Sequence, residues 1–243
     1  KLEKLGFKKI EAMRVSVEMS DGLEASARRA RYEALDLLAK KISSKTFFLG
    51  HTQNDLAESV LLGLARGSGT RSLSGMSEVN GIYIRPFLEI SKEIILQACQ
   101  EIGLELWEDP HNGKLEFTRV RVRKNVLPEI ESELGPGIID ALSRSARILG
   151  EDAQALDEWA EQVIKEIGLN NLEVEKLASL PKAVRARVLR RAIYAAGAPS
   201  GSLNAEHLQP VESLVTAWKG QGACSLPGGV KVSRISGRLS LSQ

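Results

Sequence analysis

The stretch that most constrains the fold of this 243-residue chain is the passage from a short apolar run into a helical pattern around Gly50. Thr46–Leu49 is predicted to be a short buried strand, and the helical spacing that follows extends from about Thr52 to Arg66. Such a strand-to-helix junction is typical of an open α/β sheet, in which ligands bind at the carboxyl ends of the strands. One imidazole and two carboxylates follow the strand at spacings of four and three residues: His51, Asp55 and Glu58.

On a helix, these three side chains would share one face of the first turns. The group could hold a cation, a metal ion or a reacting amine, because carboxylates accept strong hydrogen bonds from an ammonium group. Two carboxylates three residues apart are also common on solvated helix surfaces, so the spacing alone does not decide. Zinc is disfavoured because no third strong ligand lies at metal spacing. The sequence therefore predicts no metal site.

Alternating strands and helices in the first half of the chain predict a parallel sheet with helices packed on it. The strand Lys9–Val17 is expected to end at Asp21-Gly22, and Ser91 is expected to cap the last helix of this half. The predicted elements after that turn are the helix Leu23–Ile42, the strand Thr46–Leu49, the helix Thr52–Arg66, the strand Ile82–Arg85 and the helix Ser91–Gly103.

After Pro128 the pattern becomes mainly helical and ends in short strands around glycine-rich turns. The expected helices are Gly137–Gly168, Pro181–Ala196 and Asn204–Trp218, and the expected strands are Ala223–Leu226, Val230–Ile235 and Arg238–Leu241. The sequence thus predicts two domains. Residues 1–128 would form the α/β domain, and residues 129–243 a helical domain with a small terminal β-sheet.

The composition, 43% hydrophobic and 26% charged, is that of a globular protein, and the net charge of +2 does not by itself indicate a nucleic-acid partner. No apolar stretch approaches the length of about 18 residues that a membrane span needs. The two cysteines, Cys99 and Cys224, match no metal or redox spacing and are expected to be reduced. These features predict a cytoplasmic protein that does not bind a membrane.

Three arginine clusters are candidates for binding phosphate. Arg28 and Arg31 lie three residues apart on one face near the start of a helix, and the segment around Val120 carries three arginines within five residues. Such side chains suit the phosphates of a nucleotide or of RNA, although a solvated helix face is the alternative for each cluster. On the helix Pro181–Ala196, Arg185 falls on the apolar side and needs a partner. The basic residues of the second and third clusters are Arg119, Arg121 and Arg123, and Arg187, Arg190 and Arg191.

Six short motifs occur in order along the first half of the chain. They are Leu23-Glu24-Ala25 with Arg28, Arg31 and Tyr32; Gly50-His51 with Asp55 and Glu58; Arg66-Gly67-Ser68-Gly69 with Gly75-Met76; Arg85-Pro86-Phe87-Leu88; Glu108-Asp109-Pro110 with Asn112; and Arg119 to Pro128. This ordered combination over about 110 residues resembles the tRNA(Ile)-lysidine synthetases, a family of PP-loop (N-type) ATP pyrophosphatases. The tail around Gly220-Gln221-Gly222 also resembles the short C-terminal domain of that family.

The resemblance implies a two-step reaction on tRNA(Ile) with a CAU anticodon. ATP, with Mg²⁺, would adenylylate the C2 oxygen of the wobble cytidine, and the ε-amine of free L-lysine would then displace AMP. Asp55, Glu58 and His51 would be catalytic and hold the lysine, while Arg28 and His51 would bind ATP. The tRNA would bind Arg119, Arg121, Arg123, Arg187, Arg190 and Arg191. A homodimer is one of the assembly states that the resemblance leaves open.

Three departures from the family pattern accompany the resemblance. The ATP-binding signature Ser-Gly-Gly-X-Asp-Ser is absent, so the chain is expected to be a fragment. Asn54 stands where the family usually has an aspartate, and Val120 where it usually has an asparagine. The alternatives are another PP-loop tRNA-modifying enzyme, such as a thiolase, and a tRNA-binding fragment without catalysis.

Overall fold

The computed structural model describes residues 2–18, 22–107, 109–169 and 172–243. Asp21 of the expected turn and Glu108 of the family motif lie outside these ranges. The chain divides into two compact units, Lys1–Ile148 and Leu149–Gln243. The division between the two compact units lies within a helix, twenty residues after Pro128. The domain boundary after Pro128 therefore stays a prediction. No helix in the described ranges is long and apolar enough to cross a membrane.

Helices make up most of the first unit, and the sequence patterns predicted the long ones. Helix α1 has the expected bounds, and the N-terminus of α4 is capped by Ser91, whose Oγ accepts the backbone N–H of Ile94 at 3.4 Å. The helices are α1 (Leu23–Ile42), α2 (Gln53–Ala65), α3 (Thr70–Leu73), α4 (Lys92–Glu101), α5 (Thr118–Arg121), α6 (Leu127–Leu134) and the first part of α7 (Ile138–Ile167), with 3₁₀ turns at Leu2–Leu5 and Pro110–Gly113.

A small sheet lies beside these helices. Strand β1 (Phe47–Phe48) pairs in parallel with β3 (Tyr83–Ile84), as the alternation predicted, and β3 pairs antiparallel with β2 (Val79–Asn80). The predicted burial of β1 is wrong, because the Phe48 side chain is 71% exposed. The predicted strand Lys9–Val17 is also wrong: among the described residues it forms no backbone ladder, and its apolar side chains are exposed.

Helices α5 and α6 form one helical rod, Thr118–Leu134, interrupted by a π-helical turn at Val122–Val126. In this turn the Leu127 N–H donates to the carbonyl of Val122, five residues earlier. Pro128 follows directly and has no N–H to donate, which weakens the normal α-helical ladder at this point. The rod therefore contains one extra residue in the turn that holds Arg123.

The core of the first unit is small and surrounds α2. It consists of Leu56, Val60, Leu88 and Ala146, with Met76 and Leu142 packed against them. Because Leu56 and Val60 lie on one face of α2, the opposite face of this helix is left for polar groups. The core therefore fixes which side chains of α2 face the rod.

The second unit is a helical layer packed on an antiparallel sheet of order β4-β7-β6-β5. Asn204 caps α10 as predicted, since its Oδ1 accepts the backbone N–H of His207 at 3.0 Å. Strand β4 was not predicted, because a two-residue strand gives no periodic signal. The elements are the end of α7, β4 (Leu172–Glu173), α8 (Val174–Ser179), α9 (Lys182–Ala195), α10 (Ala205–Thr216), β5 (Cys224–Ser225), the 3₁₀ turn Pro227–Gly229, β6 (Lys231–Ile235) and β7 (Arg238–Ser242).

A buried ion pair connects α9 to α10 inside this unit. Arg185, which the sequence placed on the apolar side of α9, donates to Glu212 Oε1 at 2.9 Å and to the carbonyl of Leu180 at 2.9 Å. Only 9% of the Arg185 side chain and 16% of the Glu212 side chain are exposed. The prediction that Arg185 needs a partner is confirmed.

We expect Arg185→Ala to lower the free energy of unfolding by about 3 kcal/mol, because it leaves the Glu212 carboxylate buried without its cation. The double variant Arg185→Met/Glu212→Leu removes both charges and should recover most of that loss. Urea unfolding of the two variants and the wild type measures the difference. Equal stability of Arg185→Ala and the wild type would contradict a structural role for this pair.

Candidate active site

The start of α2 holds the Asp55 carboxylate in a fixed position. Asp55 Oδ2 accepts the backbone N–H of Thr52 at 2.9 Å and its hydroxyl at 3.0 Å, which is the arrangement of an N-terminal capping box. Helix α2 begins at Gln53, so His51 precedes the helix. The expectation that His51 shares a helix face with the two carboxylates is therefore corrected: only Asp55 and Glu58 lie on α2.

Glu58 is a fully buried carboxylate, with 0% of its side chain exposed. Arg123, from the π-helical turn of the rod, donates its Nε to Oε1 and its Nη2 to Oε2, the latter at 3.0 Å. The same Nη2 also donates to Asp55 Oδ1 at 3.2 Å. This two-pronged geometry is the strong form of an arginine–carboxylate contact, and it joins α2 to the rod.

Arg119 supplies a second guanidinium to this group. It lies four residues before Arg123, and its Nη1 is 3.8 Å from Glu58 Oε2. It also donates to Glu24 Oε1 at 3.2 Å and to Ser59 Oγ at 3.3 Å. Arg119 and Arg123 therefore lie on the same side of the rod. Thus α1, α2 and the rod meet through charged side chains.

The buried pair has opposing effects on its two pKa values. Burial raises the pKa of the Glu58 carboxyl, and the hydrogen bonds from Arg123 act against that rise. The hydrogen bond to Glu58 raises the pKa of the Arg123 guanidinium. Since an arginine stays protonated in proteins, Arg123 supplies the positive charge that makes burial of this carboxylate tolerable.

Both Glu58 oxygens are occupied by Arg123, so an incoming amine would have to displace part of that contact to reach Glu58. The Asp55 oxygens also accept hydrogen bonds, from Thr52 and Arg123, but 21% of the Asp55 side chain is exposed, so an amine can reach it from solvent. The role of Glu58 as a direct ligand of an amine therefore stays a prediction, whereas Asp55 lies at an accessible position.

His51 is neutral at neutral pH. Burial lowers the pKa of its imidazole to about 4, and the nearby Asp55 carboxylate opposes the decrease. Arg85, Arg31 and Arg28 lower the pKa further. Its Nδ1 is buried and has no hydrogen-bond partner among the described residues. The imidazole thus has an unsatisfied polar atom in a neighbourhood that holds both a carboxylate and arginines.

A cavity of about 770 Å³ opens beside Arg119, between the first turns of α1, the end of α2 and the start of the rod. Arg28, Arg66 and Arg119 contribute positive charge to its lining, and Glu24 and Glu116 contribute negative charge. Gly75 also lines it, with a φ of +65° and a close approach to Leu56 that leaves no room for a Cβ. The volume is within the range of cavities that bind small molecules.

Arg121 does not join the other arginines of the rod. Its Nη1 donates to the carbonyls of Leu115 and Glu116, each at 2.9 Å, and its Nη2 to Thr118 Oγ1. The prediction of one compact positive site from Arg119, Arg121 and Arg123 is therefore wrong in two respects. Residues two apart on a helix point in different directions, and Glu24, Asp55 and Glu58 neutralise the other two guanidinium groups.

The basic residues of α9 lie in the second unit and differ from one another. Arg187 is 16% exposed and pairs with Asp157 at 2.8 Å, so it is mainly a contact between α9 and α7. Arg191 is 55% exposed and pairs with Glu161 at 2.9 Å on the surface. The Arg190 Nε is buried without a hydrogen-bond partner in the described part of the chain.

Two of the three departures from the family pattern are single residues, and both have local explanations. Asn54 points toward α4, where its Oδ1 accepts the backbone N–H of Lys92 at 2.8 Å, so it links two helices. Val120 is 7% exposed and packs in the interior. Asn54 therefore carries no charge beside Asp55 and has a structural contact instead.

Sequence reasoning missed the side chains that hold this group in place. Thr52 and Ser59 were not identified, because their roles depend on specific contacts. Thr52 contacts Asp55, three residues later, and Ser59 contacts Arg119, sixty residues later. Arg85 was named as a strand end and as part of a family motif but was given no role in the site, yet it is 3% exposed and interacts with α1. Within the described ranges, no three His, Cys, Asp or Glu side chains are grouped closely enough to hold a metal ion.

Two family models match the chain, one in each half. A model described as the PP-loop domain matches residues 5–130, and one described as the TilS substrate binding domain matches residues 172–240. The first match includes every residue of the Asp55–Glu58 group, and the second includes α9 and most of the terminal sheet.

Curated relatives match almost the whole chain. A tRNA(Ile)-lysidine synthase of Streptomyces coelicolor is 48% identical, with 100% of this chain and 70% of the relative covered. Relatives of the same name from Thermobifida fusca and Salinispora arenicola are 46% and 44% identical, covering 99% and 97% of this chain and 75% and 73% of the relatives. By these matches, the chain belongs to the tRNA(Ile)-lysidine synthase family of PP-loop proteins.

Proposed function

We propose that this protein ligates lysine to the C2 position of the wobble cytidine of tRNA(Ile), using ATP. The C2 oxygen attacks the α-phosphorus of ATP and pyrophosphate leaves. The ε-amine of free lysine then attacks C2, AMP leaves with the oxygen, and the amine loses a proton. The family membership and the names of the relatives support this reaction.

The observation that carries the proposal in this chain is the fixed and accessible Asp55 carboxylate. Thr52 and Arg123 set its orientation, so it is ready to accept a hydrogen bond from an ammonium group without reorganising. In the proposed reaction Asp55 binds the ε-amine of lysine and can receive its proton. Glu58 lies behind it, and its contact with Arg123 keeps both carboxylates in place.

The local charges also favour a cationic substrate. The ion pairs around Glu58 bring the carboxylates Glu24, Asp55 and Glu58 together with the guanidinium groups of Arg119 and Arg123. Three negative and two positive charges leave one negative charge in this set of side chains. A lysine ammonium group would balance it, as electrostatic complementarity requires for a partly buried charge.

The ATP phosphates would bind near His51 and Arg28, which is close enough to lower the pKa of the imidazole. A neutral imidazole with a free Nδ1 can form a hydrogen bond with a phosphate oxygen or with the base. Arg28 would neutralise charge as pyrophosphate leaves. Mg²⁺ is commonly held by substrate phosphates and only one or two carboxylates, so it is expected to bind together with ATP.

The tRNA would be held by the remaining basic residues. Arg191 and Arg190 lie on a helix that can follow a phosphate backbone, and Arg187 would support that helix through Asp157. Arg119 and Arg123 would lie near the reacting nucleotide, while Arg121 would stabilise the start of the rod through its carbonyl contacts. The side chains that contact Asp55 and Glu58 do not include a cysteine of the kind that a thiolase uses, which favours ligation over sulfur transfer.

The proposal predicts ATP-dependent incorporation of labelled lysine into tRNA(Ile) by the complete protein. No label should enter tRNA(Ile) when ATP is omitted. No label should enter a tRNA with a different anticodon when ATP is present. Absence of incorporation under all conditions would contradict the reaction. Binding of tRNA without incorporation would instead support the non-catalytic alternative.

Asp55→Asn should reduce lysine incorporation by at least about a hundredfold, because the amide cannot take the proton or balance the ammonium charge. Binding of tRNA should stay close to wild type. Asp140→Asn is a matched control, since Asp140 also contacts α2, accepting from Gln53 Nε2 at 2.8 Å, but lies outside the ion pairs around Glu58. Unchanged incorporation by Asp55→Asn would show that the role assigned to Asp55 is wrong.

His51 predicts a specific pH dependence of stability. Its pKa is lowered to about 4 in the folded protein, so between about pH 6.5 and pH 4 the unfolded chain takes up a proton that the folded chain does not. The free energy of unfolding should therefore fall as the pH decreases through this window. His51→Gln should lose stability less steeply over the same range, as urea titrations at pH 7, 6 and 5 will measure. Parallel profiles for the two proteins would contradict the environment assigned to His51.

A further inference from the structure

Tyr32, on α1, interacts with two arginines through its ring. The guanidinium carbon of Arg28 lies 5.1 Å from the ring centroid and that of Arg31 lies 5.6 Å from it. Both distances are within the range of favourable cation–π contacts. Because Arg28 and Arg31 are three residues apart on one helix, the ring holds two like charges close together.

Contacts with Arg85 and Tyr83 hold the Tyr32 side chain in place. Arg85, which is 3% exposed, donates its Nη2 to the Tyr32 hydroxyl at 3.1 Å and its Nη1 to the carbonyl of Ser77 at 2.7 Å. The ring of Tyr83 packs edge-on against Tyr32 at 4.8 Å, and the Tyr83 hydroxyl donates to Asp36. Tyr32 therefore has little freedom to move.

The charges in this neighbourhood are unbalanced. Arg31, Arg85 and Arg119 all act on Arg28, and burial and these like charges lower the pKa of its guanidinium. The Arg85 Nε is buried and has no hydrogen-bond partner among the described residues. Guanidinium groups gathered in this way match the oxygens of a phosphate, which can accept hydrogen bonds from several of them.

We propose that Tyr32, anchored by Arg85, is a positioning residue that holds Arg28 and Arg31 side by side as a clamp for the polyphosphate of ATP. Tyr32 does not touch the substrate in this proposal. It acts through the two arginines, which would otherwise separate because like charges repel. The inference rests on the proposed function, since ATP is a substrate of that reaction.

The test compares Tyr32→Leu and Tyr32→Phe in the complete protein by measuring KM for ATP and KM for lysine. Tyr32→Leu removes the ring face and should raise KM for ATP about tenfold, with KM for lysine unchanged. Tyr32→Phe keeps the ring and loses only the bond to Arg85, so KM for ATP should rise about two- to threefold. The matched control is Tyr194→Phe, which removes a tyrosine hydroxyl that accepts the backbone N–H of Gly201 in the second unit and should leave both KM values at wild type.

An equal rise in both KM values, or an unchanged KM for ATP in Tyr32→Leu, overturns the proposal. A merely structural role would lower the melting temperature of the Tyr32 variants without separating the two substrates. Calorimetric binding of inorganic pyrophosphate to wild type and Tyr32→Phe provides a second measurement that does not need lysine transfer. Weaker pyrophosphate binding by the variant supports the clamp even if the wild type transfers no lysine, whereas equal binding overturns it.

Discussion

Burial of the Glu58 carboxylate is the constraint on which the first unit depends. A carboxylate with no exposed surface needs a cation at hydrogen-bond distance, and Arg123 from the rod is that cation. This requirement fixes the rotation of α2 about its axis and the distance of the rod from it. Asp55, one turn earlier on α2, then falls within reach of the same guanidinium group. The position of the accessible Asp55 carboxylate therefore follows from the burial of Glu58.

Charges of opposite sign are separated over a short distance around His51. Carboxylates accumulate at the start of α2, and arginines accumulate on α1 and at the end of β3. The imidazole is influenced by both groups and stays neutral, because burial and the arginines disfavour its protonation more than Asp55 favours it. A site of this kind can attract an amine and a phosphate at the same time without the two binding surfaces cancelling each other.

The sequence predicted the helices well, because their apolar residues recur at helical spacing and their ends carry capping residues such as Ser91 and Asn204. It also predicted that Arg185 needs a partner. It predicted the strands less well: β1 is only two residues long and half exposed, and Lys9–Val17 has alternating apolar residues but no neighbouring strand among the described residues. Local pattern cannot reveal whether a strand finds its neighbour.

The candidate site shows the same limit. The spacing of Asp55 and Glu58 identified the pair, but not that one is buried and the other accessible, because that difference is set by Arg123, 65 residues after Glu58. The contacts of Tyr32 with Arg85 are equally distant in sequence, 53 residues apart. The sequence therefore identified the charged residues one by one. Their partners, and the neutralisation of Arg119 and Arg123 by carboxylates, could be seen only in the folded chain.

The π-helical turn of the rod makes chain length there more critical than residue type. The turn sets the rotation of the helix between Arg123, which faces α2, and Glu131, whose Oε1 accepts the backbone N–H of Gly137 just before α7. Removing one residue from Val122–Val126 would restore an ordinary α-helix and rotate one of these contacts away by about 100°. Related chains can therefore vary the exposed side chains of this segment freely, whereas an insertion or deletion would separate the buried carboxylate from its cation.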